Sequence, residues 1–212
     1  MIISDKYKCI FIRIPKTGTT SFQYMWQKID PDARLGINEP RPPYGHQTAS
    51  QLRKIVGEKK WKEYFKFTFV REPLSWFKSQ YMDHAEWSYK KYPELSILLN
   101  KDHKLNWPEE DKKDNVRKIN FNDTILFYVF LLKWNKFESI KNFIDEDIDF
   151  IGKLENFEQD IEKIRNILNI KDEFNILHKN KSQSSTTGFT EKTTRLLNVI
   201  LEDDIKFYNS LS

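Results

Sequence analysis

The run Tyr7-Lys8-Cys9-Ile10-Phe11-Ile12-Arg13-Ile14 is rich in β-branched and aromatic residues and stops at Pro15, which predicts a strand ending in a loop. Beyond the loop, Phe22, Met25, Trp26 and Ile29 recur at the i, i+3, i+4, i+7 spacing of an amphipathic helix. The chain therefore opens as strand, loop, helix. Residues 30–44 are rich in Pro, Gly, Asp and Asn, and a short helix is predicted over 49–56 before a second aromatic strand over 64–70. Pro73 has no N–H to lose in a first helical turn and marks the start of a helix carried on by Leu74, Trp76, Phe77, Ser79, Gln80 and Tyr81. A second strand, loop, helix unit thus follows the first.

Residues 86–122 are polar, mixed in charge and weakly periodic, too long for an ordinary connection; they read as a lid over an acceptor site or as a surface insertion. Asn122 or Asp123 can cap an apolar helix running to Trp134, and 147–154 reads as a further strand. Phe157, Ile161, Ile164 and Leu168 mark the next helix, 174–177 suggests a short strand, and Thr190 can cap a final helix to about Tyr208. Strands alternating with helices predict an α/β fold, a P-loop-like three-layer α/β/α arrangement with a mainly parallel sheet. No Pro/Gly/Ser-rich linker divides the chain, so one domain over 1–212 is expected.

Composition narrows the chemistry. With 39% hydrophobic and 15% aromatic residues the chain can bury a sizeable core. The 35 basic and 31 acidic residues are intermixed, with no run of five Lys/Arg, so a local pocket for an anion is expected rather than a nucleic-acid face. Cys9 is the only cysteine, and His46, His84, His103 and His178 show no metal-ligand spacing; neither a disulfide framework nor a metal is expected. The first predicted strand begins at Tyr7, leaving no room for a signal peptide, and a cytoplasmic location is expected. The most apolar run, 125–132, is far shorter than the ~20 residues of a spanning helix, so no membrane span is expected.

The loop Pro15-Lys16-Thr17-Gly18-Thr19-Thr20-Ser21 offers one lysine, one glycine and four hydroxyls where a strand gives way to a helix. Amides at a helix N-terminus point outward and the helix dipole adds partial positive charge, so an anion there collects several hydrogen bonds. The loop is not a Walker A sequence, which needs two glycines with the lysine after the second; here Lys16 precedes Gly18. In the second unit, Arg71 stands at a strand end and Ser79 two turns into the following helix. That pair suits a phosphate monoester through a guanidinium fork and one hydroxyl donor.

Phe11 through Phe22 resembles the 5′-phosphosulfate loop of sulfotransferases that use 3′-phosphoadenosine 5′-phosphosulfate (PAPS), especially the carbohydrate sulfotransferase branch. The segment Phe67 through Tyr81 resembles that family's 3′-phosphate motif, whose arginine and serine fall on Arg71 and Ser79. The resemblance implies that Lys16 contacts the oxygen bridging phosphate and sulfate, and that Thr17, Gly18, Thr19, Thr20 and Ser21 hold the 5′-phosphosulfate. It extends to Ile151 through Phe157, to a late loop from His178 to Ser182 in which Lys181 and Ser182, with Thr187 beyond, contact the nucleotide, and to a terminal helix from Asp203 to Tyr208. Only about 86–122 has no counterpart.

The implied reaction is transfer of a sulfuryl group to an acceptor hydroxyl, on a carbohydrate by the branch resembled, without a metal. A proton acceptor is required. His46, in Tyr44-Gly45-His46-Gln47-Thr48, is the first candidate because histidine titrates near neutrality; Glu72, Asp83, His84 and Glu86 stand behind it. Two other readings share the strand, loop, helix opening: a P-loop nucleotide kinase, and a donor-binding module without turnover.

Overall fold

The computed structural model describes residues 1–36, 46–80, 139–172 and 189–211. They fall into two compact units, the first drawn from 1–76, 139–172 and 203–211, the second from 77–80 and 189–202.

The first unit is built on a five-stranded sheet of β1 (Ile2–Ser4), β2 (Cys9–Ile12), β3 (Arg34–Leu35), β4 (Phe65–Val70) and β5 (Phe150–Lys153), in the order β3-β1-β2-β4-β5. The core β2-β4-β5 is parallel, with Ile12 opposite Thr68 and Val70 opposite Lys153. The other half, β1 against β2 and β3, is antiparallel. The parallel core agrees with the expected α/β sheet; the antiparallel half adds a hairpin where only one strand, from Tyr7, is predicted. Three apolar or small residues, Ile2-Ile3-Ser4, are too few to show a period, although their hairpin partners on β2 lie only five to nine residues away.

Alternation along β1 and β2 sends side chains to both faces. Ile2, Cys9 and Phe11 join Phe67 and Phe69 on one side, under α1 (Thr19–Ile29) and α5 (Phe157–Ile167), where Phe22, Met25, Trp26, Ile161 and Ile164 close the core. Met1, Ile3, Ile10 and Ile12 face the opposite core with Ala49 and Leu52 of α2 (Ala49–Val56) and Trp61 of α3 (Glu58–Glu63). Helices therefore cover both faces of this sheet. Five phenylalanines knit the first core: ring centroids lie 4.4 Å apart for Phe11–Phe22 and 5.1 Å for Phe11–Phe67, with Phe69 4.9 Å from Phe157. Such pairs contribute about 0.5–1.5 kcal/mol each beyond burial.

Residues 73–80 form the helix α4, with Pro73 in its first turn as predicted. Glu72 caps it: Oε1 accepts from the Leu74 amide at 3.0 Å and Oε2 from the Ser75 amide at 2.7 Å. In the second unit Thr190 caps α6 (Glu191–Ile200) by accepting from the Thr193 amide. The single final helix expected to Tyr208 is instead two, α6 and α7 (Glu202–Ser210), divided at Leu201. The segments 86–122, 122–134 and 174–177 lie outside the described residues.

Candidate functional site

Because β2, β4 and β5 are parallel and in register, their C-terminal ends open at one edge of the sheet, where open α/β sheets bind ligands. Three segments leave that edge: the loop 13–18, the turn 71–72 and the single 3-10 turn Leu154–Asn156.

The first loop is held from three directions. The Thr17 hydroxyl, fully buried, donates to the Ile14 carbonyl at 2.9 Å. The Trp76 indole Nε1 donates to the Pro15 carbonyl at 2.7 Å, tying the start of α4 to the loop before α1. Gly18 adopts φ +78° and abuts the 154–156 turn so closely that a Cβ there would lie 2.7 Å from Leu154 Cδ1. Glycine is thus demanded twice, by conformation and by space. Lys16 is also left-handed, at φ +63°, which for a residue with a Cβ costs about 1–2 kcal/mol. Strain of that kind is held in place only where its surroundings fix it, as the three anchors do here.

The result is an open helix end. Gly18 supplies no side-chain cap to α1, and the first turn carries no acid that would neutralise its dipole. Thr20 is exposed at this end while Thr19 and Ser21 are buried. A helix terminus of this kind, with a lysine two residues ahead, suits an anion.

Arg71 follows β4 at the same edge and is half-buried. Burial pulls its pKa down, opposed by the carboxylates of Glu155 and Glu72. Glu155 is fixed at both oxygens: Oε1 accepts from the Glu72 amide and Oε2 from the Tyr208 hydroxyl, each at 2.9 Å. Tyr208 itself lies under the Lys153 ammonium, 4.7 Å from its ring centre, and Lys153 Nζ donates to the Leu211 carbonyl. The terminal helix α7 thereby braces the turn that presents Arg71. Ser79 lies half-buried on α4, within the second unit. Lys181, Ser182 and Thr187 lie outside the described residues.

His46 comes to the end of β2. Its Nδ1 lies 3.0 Å from the Arg13 carbonyl oxygen. A carbonyl only accepts, so the proton sits on Nδ1 and the Nε2 lone pair is left for chemistry. Burial pushes the imidazole pKa down to about 4, the Arg13 carbonyl bond opposes that shift, and the Arg13 and Lys16 cations add to it. His46 is therefore neutral at pH 7, and the titration near neutrality that singled it out in the sequence does not hold in the fold, because burial disfavours the charged ring. The segment is anchored just beyond, where Thr48 and Gln51 form a reciprocal capping box and Asp145 accepts from the Ser50 amide at 2.8 Å and the Thr48 hydroxyl at 3.0 Å. Of the alternative bases, Glu72 is committed to capping α4, and Asp83, His84 and Glu86 lie outside the described residues.

The model of the sulfotransferase family matches residues 1–209. The chain belongs to the sulfotransferase family. No curated protein and no solved structure gives a significant match. Sulfuryl transfer is accordingly the general activity, and the α/β sheet is that of a sulfotransferase. Among the described residues no group of three or more His, Cys, Asp or Glu gathers around a common point, and no helix is long and apolar enough to cross a membrane.

Sequence reasoning gave no role to Arg13, Trp76, Glu155 or Tyr208. Trp76 and Tyr208 read as ordinary apolar-face residues, and only the fold shows their polar atoms meeting Pro15 and Glu155. Arg13 carried a signal: it is the one charged residue in Ile10-Phe11-Ile12-Arg13-Ile14, a run otherwise wholly apolar.

Proposed function

We propose that this sulfotransferase takes its sulfuryl group from PAPS and passes it to a carbohydrate hydroxyl. The observation that carries the reading is the loop between β2 and α1, with Lys16 and Gly18 both left-handed ahead of an uncapped helix. It supports PAPS because the donor presents an anion of just the kind such an end accommodates, and because Arg71 offers a second anion subsite from the adjacent parallel strand. The Walker order of glycine and lysine, which nucleotide kinases require, is absent from the sequence.

PAPS supplies the activated sulfur and a phosphate leaving group; the chain supplies position, charge and a base. The amides at the start of α1, with the Thr19, Thr20 and Ser21 segment, hold the 5′-phosphosulfate, and the Thr17 amide joins them while its hydroxyl braces Ile14. Lys16 places a fixed positive charge where negative charge grows on the departing oxygen, so its interaction strengthens as the reaction advances. Arg71 and Ser79 take the 3′-phosphate. On this reading Lys181 and Ser182 contact the nucleotide, and 1–212 works as a single sulfotransferase domain. His46 accepts the acceptor's hydroxyl proton at Nε2, held in the correct tautomer by the Arg13 carbonyl.

The test is transfer of labelled sulfuryl from PAPS to a panel of glycans, lipids and small alcohols. Label appearing on one or more glycans is the expected result; label only on non-glycans removes the carbohydrate assignment, and no turnover or binding of PAPS removes the donor.

A further inference from the structure

Two carboxylates act on the charge of Arg71, those of Glu155 and Glu72, yet among the described residues its guanidinium forms neither a hydrogen bond nor an ion pair. Arginines elsewhere in the chain take the acid within reach. Arg53 bonds Glu58 and Glu146, Arg165 bonds Glu162 and Arg195 bonds Glu191. A guanidinium fork and a carboxylate pair readily through charge-assisted bonds, so an arginine that leaves two such neighbours unbonded needs a cause.

The cause lies in what the acids already hold. Glu72 accepts from the Leu74 amide at Oε1 and from the Ser75 amide at Oε2. Glu155 accepts from the Glu72 amide at Oε1 and from the Tyr208 hydroxyl at Oε2, each at 2.9 Å. Three of these four donors are backbone amides just after Arg71, and the fourth is a single side chain. Tyr208 is itself fixed: the Lys153 ammonium lies 4.7 Å from its ring centre while donating to the Leu211 carbonyl at 2.7 Å, and the Lys153 amide donates to Asp160 at 2.8 Å. One turn earlier on α7, Asp204 accepts from the Ser139 hydroxyl at 2.5 Å and anchors the helix. Burial and the bond to Glu155 raise the pKa of the phenol, so its proton stays in place to be donated.

We propose that Tyr208 is a positioning residue of the donor site, whose hydroxyl holds the Glu155 carboxylate off Arg71 and so keeps the guanidinium fork unpaired for a phosphate monoester. The inference rests on the reading that Arg71 takes the donor's 3′-phosphate. Without the phenol hydroxyl, Glu155 keeps only the Glu72 amide. Its released oxygen then turns to Arg71, and an incoming phosphate has to displace an internal acid.

The experiment compares wild type, Tyr208→Phe, and Tyr208→Phe combined with Glu155→Gln. Phenylalanine keeps the ring beside Lys153 and removes only the hydroxyl; glutamine keeps an acceptor for the Glu72 amide and removes the charge. By calorimetry, Tyr208→Phe should weaken binding of 3′-phosphoadenosine 5′-phosphate about 3–10-fold and raise the donor KM alike, with kcat within about twofold. The double variant should return to within about twofold of wild type, because a neutral amide does not compete for the guanidinium. A merely structural bond gives the reverse, a second loss added to the first. Unchanged affinity in Tyr208→Phe, or no recovery in the double variant, overturns the proposal. A readout without ligand is the Arg71 Nε–H signal in NMR, assigned by its disappearance in Arg71→Met. Its exchange with water should slow in Tyr208→Phe and return to the wild-type rate in the double variant; an unaltered rate in Tyr208→Phe also overturns the proposal. If wild type binds no 3′-phosphoadenosine 5′-phosphate, the donor reading fails, while the exchange rates still decide whether Tyr208 holds Glu155 off Arg71.

Discussion

His46 Nδ1 and the Arg13 carbonyl oxygen, 3.0 Å apart, join the candidate base to the strand that leads into the candidate donor loop. One bond fixes tautomer, ring orientation and distance from Lys16 along the chain. With the imidazole pKa lowered to about 4, the basic form is present throughout the neutral range. The acid limb of kcat/KM should therefore fall below about pH 5 and be flat from 6 to 8, and His46→Ala should lose about 10²–10⁴-fold. A limb centred near 6.5, or undiminished transfer by the variant, removes His46 as base.

The same shift makes a statement about stability. His46 titrates near 6.5 unfolded and about 4 folded, so between those values the unfolded chain binds more protons. Its contribution is full above about 6.5 and is lost as pH falls toward 4, up to about 3 kcal/mol. Urea melts at pH 7 and 5 should show a smaller loss of stability for His46→Gln than for wild type; equal losses contradict the buried neutral ring.

Lys16 separates strain from function. Lys16→Gly relieves the left-handed Cβ at φ +63°, and Lys16→Ala does not. Thermal melts should place the glycine variant about 0.5–1 kcal/mol above the alanine variant. Both should lose about 10²–10³-fold in transfer. A glycine variant no more stable than the alanine one refutes the strained backbone, and full activity in either refutes the role on the leaving group.

At Gly18 the two demands can be measured apart. Gly18→Ala should cost about 2–3 kcal/mol through the left-handed φ and the 2.7 Å approach to Leu154. Adding Leu154→Ala should return the steric part and leave the conformational part, a coupling visible in a double-mutant cycle. Strict additivity would mean that the two segments do not touch.

Trp76→Phe keeps most of the packing but leaves the Pro15 carbonyl without its indole donor. It should destabilise by about 1–2 kcal/mol and raise the donor KM several-fold, since the loop loses its tie to α4. An unchanged donor KM would show that this tie has no part in holding the loop.

The residues that announced the fold are those whose reasons are local. Phe22, Met25, Trp26 and Ile29 are all buried on the face their spacing implied, Pro73 opens α4, and Thr190 caps α6. What stayed hidden depends on distant partners. β1 and β3 are three and two residues long and exist only through ladders to β2 and to each other. The break at Leu201 carries no glycine or proline, so nothing local marks it. Glu72 read only as a fallback base, and its two amide partners show it capping α4 instead. Among candidate site residues, the loop 15–21 and Arg71 were legible as motifs, whereas the bonds that fix Glu155 beside Arg71 join residues that no linear pattern brings together.

The central claim is that the edge formed by the 13–18 loop and Arg71 holds the adenosine-bisphosphate half of a sulfuryl donor. The most direct measurement is calorimetric titration of wild type with 3′-phosphoadenosine 5′-phosphate and, separately, with ATP and magnesium, repeated on Arg71→Ala. The bisphosphate should bind at least about 100-fold more tightly than ATP, and Arg71→Ala should lose about 10–100-fold of that affinity with ATP unaffected. Tighter binding of ATP, or bisphosphate affinity indifferent to Arg71, would contradict it.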